Sequence, residues 1–202
     1  MQFIVVRSFA INATEEVQLL ISVPITSRMM EWAQKRNLEG LPKATHFKTD
    51  DFSNRRIMGF VGEAAFFSAF RHHAHWVNKS GVDYRIGETF YEVKTKRQYD
   101  LTDISANEFT IERSQIDLSK ADQFVLTYYR KIYEDIVIVG TIDPTYVPEI
   151  GRKVKKGEKF SQNNKGVCSS DCYVIDLKYI TPIESLINSL GGIYAFKEGL
   201  IF

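Results

Sequence analysis

Residues 81–96 read GVDYRIGETFYEVKTK and form two β-rich segments on either side of the pair Gly87-Glu88. A two-residue connection with glycine first is typical of a type II′ turn, because glycine readily adopts the positive φ that the first position requires. Apolar or β-branched residues alternate with charged residues in both segments, which is the pattern of half-buried strands. The stretch therefore predicts a β-hairpin whose turn fixes the residues that face each other.

The predicted hairpin brings two acidic side chains together. If Ile86 faces Thr89, the register continues outward until Asp83 lies opposite Glu92. Directly opposed Cβ atoms are about 4.5 to 5.5 Å apart, which allows two carboxylates to share one divalent cation. Lys94 lies on the same face of its strand as Glu92. Two acidic side chains at one point can bind Mg²⁺ or Mn²⁺, and a neighbouring amine can orient the attacking water. This combination is suited to phosphodiester hydrolysis.

A solvent-facing hairpin without a catalytic role is the alternative. Glu92 would then form an ordinary surface pair with Lys94 or Arg85, which contributes little to stability. The tripeptide Glu-x-Lys is common and favours this alternative when it is taken alone. The interpretation as a site therefore depends on the elements that surround the hairpin.

A helix is predicted from about residue 55 to residue 70, where apolar and small residues recur at helical spacing. Glu63 borders the apolar stripe of this helix. Gly59 and Gly62 lie in its interior, where each glycine costs about 1 kcal/mol relative to alanine. We therefore expect another element to approach the helix closely at both glycines. The alternative for Glu63 is a half-buried carboxylate paired with a nearby arginine.

These segments together resemble the PD-(D/E)XK nuclease superfamily. The resemblance is carried by GFVGE at residues 59–63, GVD at 81–83 and EVK at 92–94, with Val82 where the superfamily's proline stands. It covers roughly residues 55–143, including a predicted helix at 114–121 and predicted strands at 123–129 and 136–142. It implies an α/β fold with a restriction-endonuclease-like core, in which a central mixed β-sheet is flanked by helices in the order αβββαβ.

The resemblance also implies a role for each motif residue. Asp83 and Glu92 would be metal ligands together with the carbonyl of Val93, and Glu63 would be an outer or second-metal ligand. The cation would be Mg²⁺ or Mn²⁺. Lys94 would position or activate the hydrolytic water.

The superfamily often adds a polar catalytic residue from the next helix. Gln115 is the candidate in this chain, with Ser114 and Lys120 as competitors. The implied activity is that of a metal-dependent endonuclease acting on DNA by attack of a metal-activated water, with a 5′-phosphate as product. RNA remains a possible substrate.

Two other functions are alternatives to this one. A nucleic-acid-binding or assembly module could keep the same fold without cleaving, and the acidic cluster with its lysine would then be a structural ion pair. A P-loop enzyme is disfavoured, because the chain contains no Gly-x-x-x-x-Gly-Lys-Ser/Thr stretch. Concerted cutting of two strands would need two sites, so a homodimer is possible.

Charge is balanced globally and concentrated locally. The 202 residues include 26 Lys plus Arg and 25 Asp plus Glu, for a net charge of +1, which excludes a histone-like non-specific binder. Residues 152–165 include six basic residues and one acidic residue, in a stretch that suggests a mobile loop closing on a phosphate backbone. A solvated loop without a partner is the alternative. The expected nucleic-acid contacts are Lys96, Arg97, Arg152, Lys153, Lys155, Lys156 and Lys159.

The chain is predicted to form a single domain over residues 1–202. Residues 1–50 would be a strand and helix extension, 55–143 the nuclease-like core, and 144–202 a basic loop followed by a strand, a helix and a strand. No run reaches the roughly 18 apolar residues of a membrane helix, and no secretory signal is visible, so a cytoplasmic protein is expected. Cys168 and Cys172 are expected to be free thiols in a polar loop, and a structural disulfide or a metal pair is the alternative.

Overall fold

The computed structural model describes residues 5–10, 17–39, 50–79, 81–98, 108–159 and 167–192. The strands are β1 (Val5–Ala10), β2 (Val17–Pro24), β3 (His75–Lys79), β4 (Val82–Ile86), β5 (Thr89–Gln98), β6 (Glu108–Glu112), β7 (Gln123–Arg130), β8 (Asp135–Ile142), β9 (Arg152–Val154), β10 (Cys172–Asp176) and β11 (Thr181–Pro182). The helices are α1 (Ser27–Glu39), α2 (Asp50–Phe70), α3 (Arg113–Leu118), α4 (Val147–Ile150) and α5 (Ile183–Ser189).

The central sheet has the strand order β1-β2-β8-β7-β5-β4-β3, and β11 pairs with β8. It is mixed, because β5 and β7 run parallel while their other neighbours are antiparallel. A parallel pair needs a long crossover, and the chain between β5 and β7 contains β6 and α3. The fold class is therefore α/β with a mixed central sheet flanked by helices, as the sequence predicts.

The two faces of the central sheet are covered differently. Helix α2 packs on one face, where Phe66 and Phe70 of the helix are fully buried in one core with Tyr84 and Val93 of the sheet. The opposite face packs against a second sheet with the order β6-β10-β9 through a core that includes Phe124. The sequence does not indicate this second sheet, because β6 and β9 are short and lie in stretches that resemble connecting loops.

Several element boundaries differ from the predicted ones. Helix α2 begins at Asp50 rather than near residue 55, and α3 ends at Leu118 rather than at residue 121. The predicted strand and helix of the C-terminal extension correspond to β10 and α5. The last predicted strand, at residues 193–196, lies outside the described residues. No helix in the described ranges is long and apolar enough to cross a membrane.

The two glycines of α2 have different surroundings. A Cβ atom on Gly62 would overlap Thr95 Oγ1 and would lie 3.2 Å from Thr127 Oγ1, so the helix approaches β5 and β7 closely there. A Cβ atom on Gly59 would meet nothing within 4 Å. The expected close approach is therefore correct for Gly62 and wrong for Gly59.

Candidate active site

The predicted hairpin register is confirmed. Strands β4 and β5 pair with Tyr84 opposite Tyr91, and Ile86 opposite Thr89. Of the two turn residues, only Gly87 has a positive φ, at 58°, as a type II′ turn requires. The pairing ends at Tyr84 and Tyr91, so the predicted facing of Asp83 and Glu92 lies one residue beyond it and stays a prediction.

Asp83 lies where the backbone pairing of β4 and β5 stops. The last paired residues are Tyr84 and Tyr91, and beyond them the backbone N–H of Val93 donates to Asp83 Oδ2 at 2.8 Å. A carboxylate thus takes the hydrogen bond that a strand carbonyl would otherwise accept. This contact fixes the Asp83 side chain in the gap between the two strands. Val93 takes part through its backbone N–H, whereas the group predicted to bind the metal is its carbonyl.

Glu92 is held at both of its carboxylate oxygens. Lys94 Nζ lies 2.6 Å from Oε1, and Ser119 Oγ donates to Oε2 at 2.7 Å. The Lys94 side chain is only 9% exposed, and its ammonium lies 4.7 Å from the centroid of the Phe124 ring. Burial removes water from this cation, so its attraction for nearby negative charge is stronger than at a surface.

Ser119 is a site residue that the sequence analysis missed. It follows the last residue of α3, and its position depends on contacts between the end of this helix and the start of β4. The backbone N–H of Lys120 donates to the carbonyl of Gly81 at 3.2 Å. Gly81 has a φ of 77°, and a Cβ atom there would lie 2.8 Å from the Leu118 carbonyl. Only glycine suits both conditions, and the close packing brings Ser119 to Glu92.

Gln115, the predicted polar residue from this helix, does not contact the acidic cluster. It is exposed, and its side chain accepts a hydrogen bond from the backbone N–H of Glu112 at 3.3 Å in a capping box at the start of α3. Its competitors Ser114 and Lys120 are exposed as well. The sequence predicts a helix through residue 121, which would make Ser119 an ordinary helical residue. In the structure α3 ends at Leu118, one residue before Ser119.

Glu63 reaches the cluster from α2 and is buried, with 9% of the residue exposed. Its Oε2 atom has no hydrogen-bond partner in the part of the chain that the structure describes. Burial, and then the charge of Asp83, raises the pKa of Glu63 to about 9, and Arg36 acts in the opposite direction. The alternative of a Glu63–arginine salt bridge is not found within the described ranges. Glu63 is therefore a buried acid with an unused oxygen.

The neighbouring negative charges oppose the ionisation of Glu63 and of Asp83. Burial raises the pKa of Asp83 to about 6, with the hydrogen bond from Val93 lowering it and the charge of Glu92 raising it. Glu92 also raises the pKa of Glu63. Lys94 and Arg36 offset part of this repulsion. A further positive charge at this point would therefore be stabilising.

The donor atoms suit a hard divalent cation. Mg²⁺ usually takes one or two protein carboxylates and completes its shell with waters and phosphate oxygens. Asp83 and Glu92 supply two carboxylates, and the unpartnered oxygen of Glu63 is an additional acceptor. Among the described residues, no three or more His, Cys, Asp or Glu side chains are grouped so that they could hold a metal ion as they stand, and this includes the three acids of the cluster. Cation binding through Glu92 Oε1 would compete with the contact to Lys94, while Ser119 contacts the other oxygen, Oε2.

The predicted nucleic-acid contacts lie partly around Glu108, at the start of β6. Lys96 Nζ donates to the Glu108 carbonyl, and Arg152 Nη2 lies 3.4 Å from the Glu108 carboxylate. Burial lowers the pKa of Lys96. Arg97 is exposed and, by strand alternation, points to the opposite side of β5 from Lys96. Lys96 and Arg152 therefore converge near the strand that carries Glu92 and Lys94.

The basic stretch is more ordered than a mobile loop over its described part. Its first residues form β9, which pairs with β10, and Lys159 pairs with Val167 in an isolated bridge. Residues 160–166 lie outside the described part. We call residues 152–159 the basic arm. Its exposed lysines are Lys153, Lys155, Lys156 and Lys159.

Comparison with known proteins finds no matching family model and no similar curated protein. The interpretation of the site therefore rests on its geometry and on the pattern of residues that builds it.

Proposed function

We propose that this chain is a Mg²⁺- or Mn²⁺-dependent nuclease that hydrolyses phosphodiester bonds of DNA on a restriction-endonuclease-like core. The observation that carries the proposal is the cluster of Asp83, Glu92 and Lys94 at the end of the β4–β5 pairing, joined by Glu63 from α2. Buried acids that repel one another are costly for stability, so their presence together favours a role in binding a cation.

Asp83 and Glu92 would hold the cation, with the Val93 carbonyl beside them and Glu63 as an outer ligand. When bound, the cation supplies positive charge to the phosphate oxygens and lowers the pKa of a coordinated water. These residues come from two adjacent strands and one helix, all packed on buried cores, so the arrangement is rigid.

Lys94 and Ser119 would complete the chemistry from the protein side. The Lys94 ammonium would orient the attacking water by hydrogen bonding and offset the negative charge that develops on the phosphate. Ser119 would hold the Glu92 carboxylate after Lys94 turns to the water. The water oxygen would form a bond to phosphorus and lose a proton to solvent, the bond from phosphorus to the 3′-oxygen would break, and the 3′-oxygen would take a proton from solvent, which leaves a 5′-phosphate and a 3′-hydroxyl.

The basic residues near the site would bind the sugar-phosphate backbone. Lys96 and Arg152 meet at Glu108, so a phosphate could replace the Glu108 carboxylate as the partner of Arg152. Arg97 and the lysines of the arm, Lys153, Lys155, Lys156 and Lys159, would add contacts that do not depend on base sequence. Cutting both strands of a duplex in one event would require a second copy of the chain.

The test is a cleavage screen on duplex, single-stranded and branched DNA, with matched RNA substrates. Each substrate is incubated with Mg²⁺, with Mn²⁺ and with a chelator. We expect cleavage of at least one DNA substrate that requires the divalent cation and leaves a 5′-phosphate. A protein that binds these substrates and cuts none of them would contradict the proposal.

The direct contact between Lys94 and Glu92 supports a second candidate, a nucleic-acid-binding module that does not cleave. Their ion pair at 2.6 Å balances the charge of Glu92 without a metal ion, as a purely structural pair would. In that case DNA affinity would be unchanged by chelator and the Lys94→Ala variant would lose stability rather than activity. The cleavage screen separates the two functions.

A further inference from the structure

Cys172 is the first residue of β10 in the second sheet, and Cys168 lies in the segment just before this strand. Their sulfur atoms are 2.7 Å apart, and neither forms a disulfide. Both are buried, at 3% and 4% exposure, in a small apolar cluster with Val154 and Val174. The sequence analysis placed them in a polar loop, so their burial and mutual contact are not what the sequence predicts.

Backbone hydrogen bonds hold each cysteine in place. Cys172 belongs to β10 and pairs with Glu112 of β6 and Val154 of β9. Cys168 donates its backbone N–H to the Glu158 carbonyl at 2.9 Å, and its carbonyl accepts from Gly157 at 2.9 Å. The approach of the two sulfur atoms is therefore built into the sheet and does not depend on one flexible side chain.

We propose that Cys168 and Cys172 form a dithiol–disulfide site, which is reversibly oxidised within the folded chain. The oxidant is a small hydroperoxide or a small-molecule disulfide. With a hydroperoxide ROOH, two S–H bonds break, one S–S bond forms, and the oxidant is reduced to ROH and water. With a small disulfide, the oxidant is reduced to two thiols. Reducing thiols reverse the step.

The two cysteines are better suited to forming a disulfide bond than to binding a metal ion. Zinc in proteins usually has four ligands, or three with an open position. Two sulfur atoms are present here, and no group of three His, Cys, Asp or Glu side chains that could hold a metal is found among the described residues. Burial, followed by the neighbouring Cys168, raises the pKa of Cys172 to about 12, so this thiol remains protonated at neutral pH. Oxidation is therefore expected to be slow, and its equilibrium is the quantity to measure.

The turn between the cysteines connects two parts of the fold. The carbonyl of Asp171 accepts from the backbone N–H of Arg113, the first residue of α3, at 2.9 Å. The Asp171 carboxylate accepts from the backbone N–H of Lys156 at 3.0 Å, in the basic arm. A disulfide would therefore restrain Asp171, which contacts both α3 and the basic arm. This proposal is independent of the proposed nuclease function.

The test is the effective concentration of the cysteine pair in glutathione redox buffers, measured on the unmodified chain. The fractions of dithiol and disulfide are trapped with N-ethylmaleimide and counted by intact mass. The chain contains only two cysteines, so the intrachain product is unambiguous. The same measurement is made in concentrated guanidinium chloride. A second sample is oxidised while unfolded and then refolded, so that equilibrium is approached from the disulfide as well as from the dithiol. Slow entry of the oxidant to the buried thiols then does not affect the result.

We expect the effective concentration to be at least about tenfold higher in the folded protein than in the unfolded chain, because the fold holds the sulfur atoms together. By the thermodynamic cycle, the oxidised protein must then resist unfolding more than the reduced protein by the same factor. An effective concentration that is equal or lower in the folded protein would overturn the proposal. Mixed disulfides with glutathione in place of the intrachain bond would also overturn it.

Discussion

Ser119 Oγ donates to Glu92 Oε2 at 2.7 Å, while the other oxygen of this carboxylate contacts Lys94. The contact joins residues that are 27 positions apart and links the end of α3 to the strand at the centre of the site. It gives Glu92 a fixed orientation that does not depend on the Lys94 ammonium. In the proposed mechanism, Lys94 would leave Glu92 to contact a water or a phosphate, and Ser119 would keep Glu92 in position.

Replacing Ser119 with alanine should lower the rate of DNA cleavage by about tenfold, because one hydrogen bond to a charged group is worth about 1.5 kcal/mol. Single-turnover cleavage at saturating DNA measures this rate. Gln115→Ala, in the helix α3 that precedes Ser119, is the matched control, and it should leave the rate unchanged. Equal rates for both variants would show that Ser119 does not position Glu92.

Replacing Glu63 with glutamine should stabilise the cation-free protein at pH 8 by about 1 to 3 kcal/mol. The pKa of Glu63 is raised to about 9 in the folded state, above its ordinary value of 4.5. The folded state therefore binds more protons than the unfolded state between these values, and the free energy of unfolding falls as the pH rises through this range.

Urea unfolding from pH 5 to pH 9, without divalent cations, measures this effect. The Glu63→Gln variant should show a much smaller fall in stability with pH than the parent protein. Glu31→Gln, at an exposed position of α1, is the control and should keep the parent slope. A parent protein whose stability rises across this range would contradict the assignment.

Binding of Mg²⁺ or Mn²⁺ at pH 7 should release protons from the site. The cation favours the ionised carboxylates and so lowers the raised pKa values of Glu63 and Asp83. Affinity for the cation should therefore increase with pH. Calorimetric titration in two buffers with different ionisation enthalpies counts the released protons. Asp83→Asn should abolish both binding and release, and tight binding without proton release would contradict the expected titration.

Replacing Gly62 with alanine should destabilise the fold by about 1 to 3 kcal/mol, because the new methyl group overlaps the Thr95 hydroxyl. Gly59→Ala, three residues earlier in α2, meets open space and should stabilise the fold by about 1 kcal/mol through helix propensity. Thermal or urea unfolding of the two variants checks both signs. Two stabilised variants would mean that α2 does not approach β5 closely.

The local features of the site could be predicted from the sequence. The hairpin, its turn and its register depend on neighbouring residues and on the conformational freedom of Gly87, which is why the facing of Tyr84 and Tyr91 follows from the sequence alone. The start of α1 is local as well, with Thr26 Oγ1 accepting from the backbone N–H of Met29 at 3.1 Å. Such features need no knowledge of the distant chain.

The remaining features depend on contacts between segments that are far apart in sequence. Ser119 reaches Glu92 only because α3 ends early and is held against Gly81. The second sheet requires β6, β9 and β10 to meet, and although β10 could be predicted, no periodic pattern reveals the short strands β6 and β9. The close contact of Cys168 with Cys172 follows from this sheet and could not be predicted before it.

The most direct test of the central claim is the single-turnover cleavage rate of a DNA substrate in Mg²⁺ for the parent protein, Asp83→Asn and Lys94→Ala. Lys131→Ala, an exposed lysine in the turn between β7 and β8, is the control. We expect the first two variants to lose cleavage by at least about a thousandfold while retaining a folded circular dichroism spectrum, and the control to cut like the parent. Folded Asp83→Asn and Lys94→Ala proteins that cut DNA as fast as the parent would contradict it.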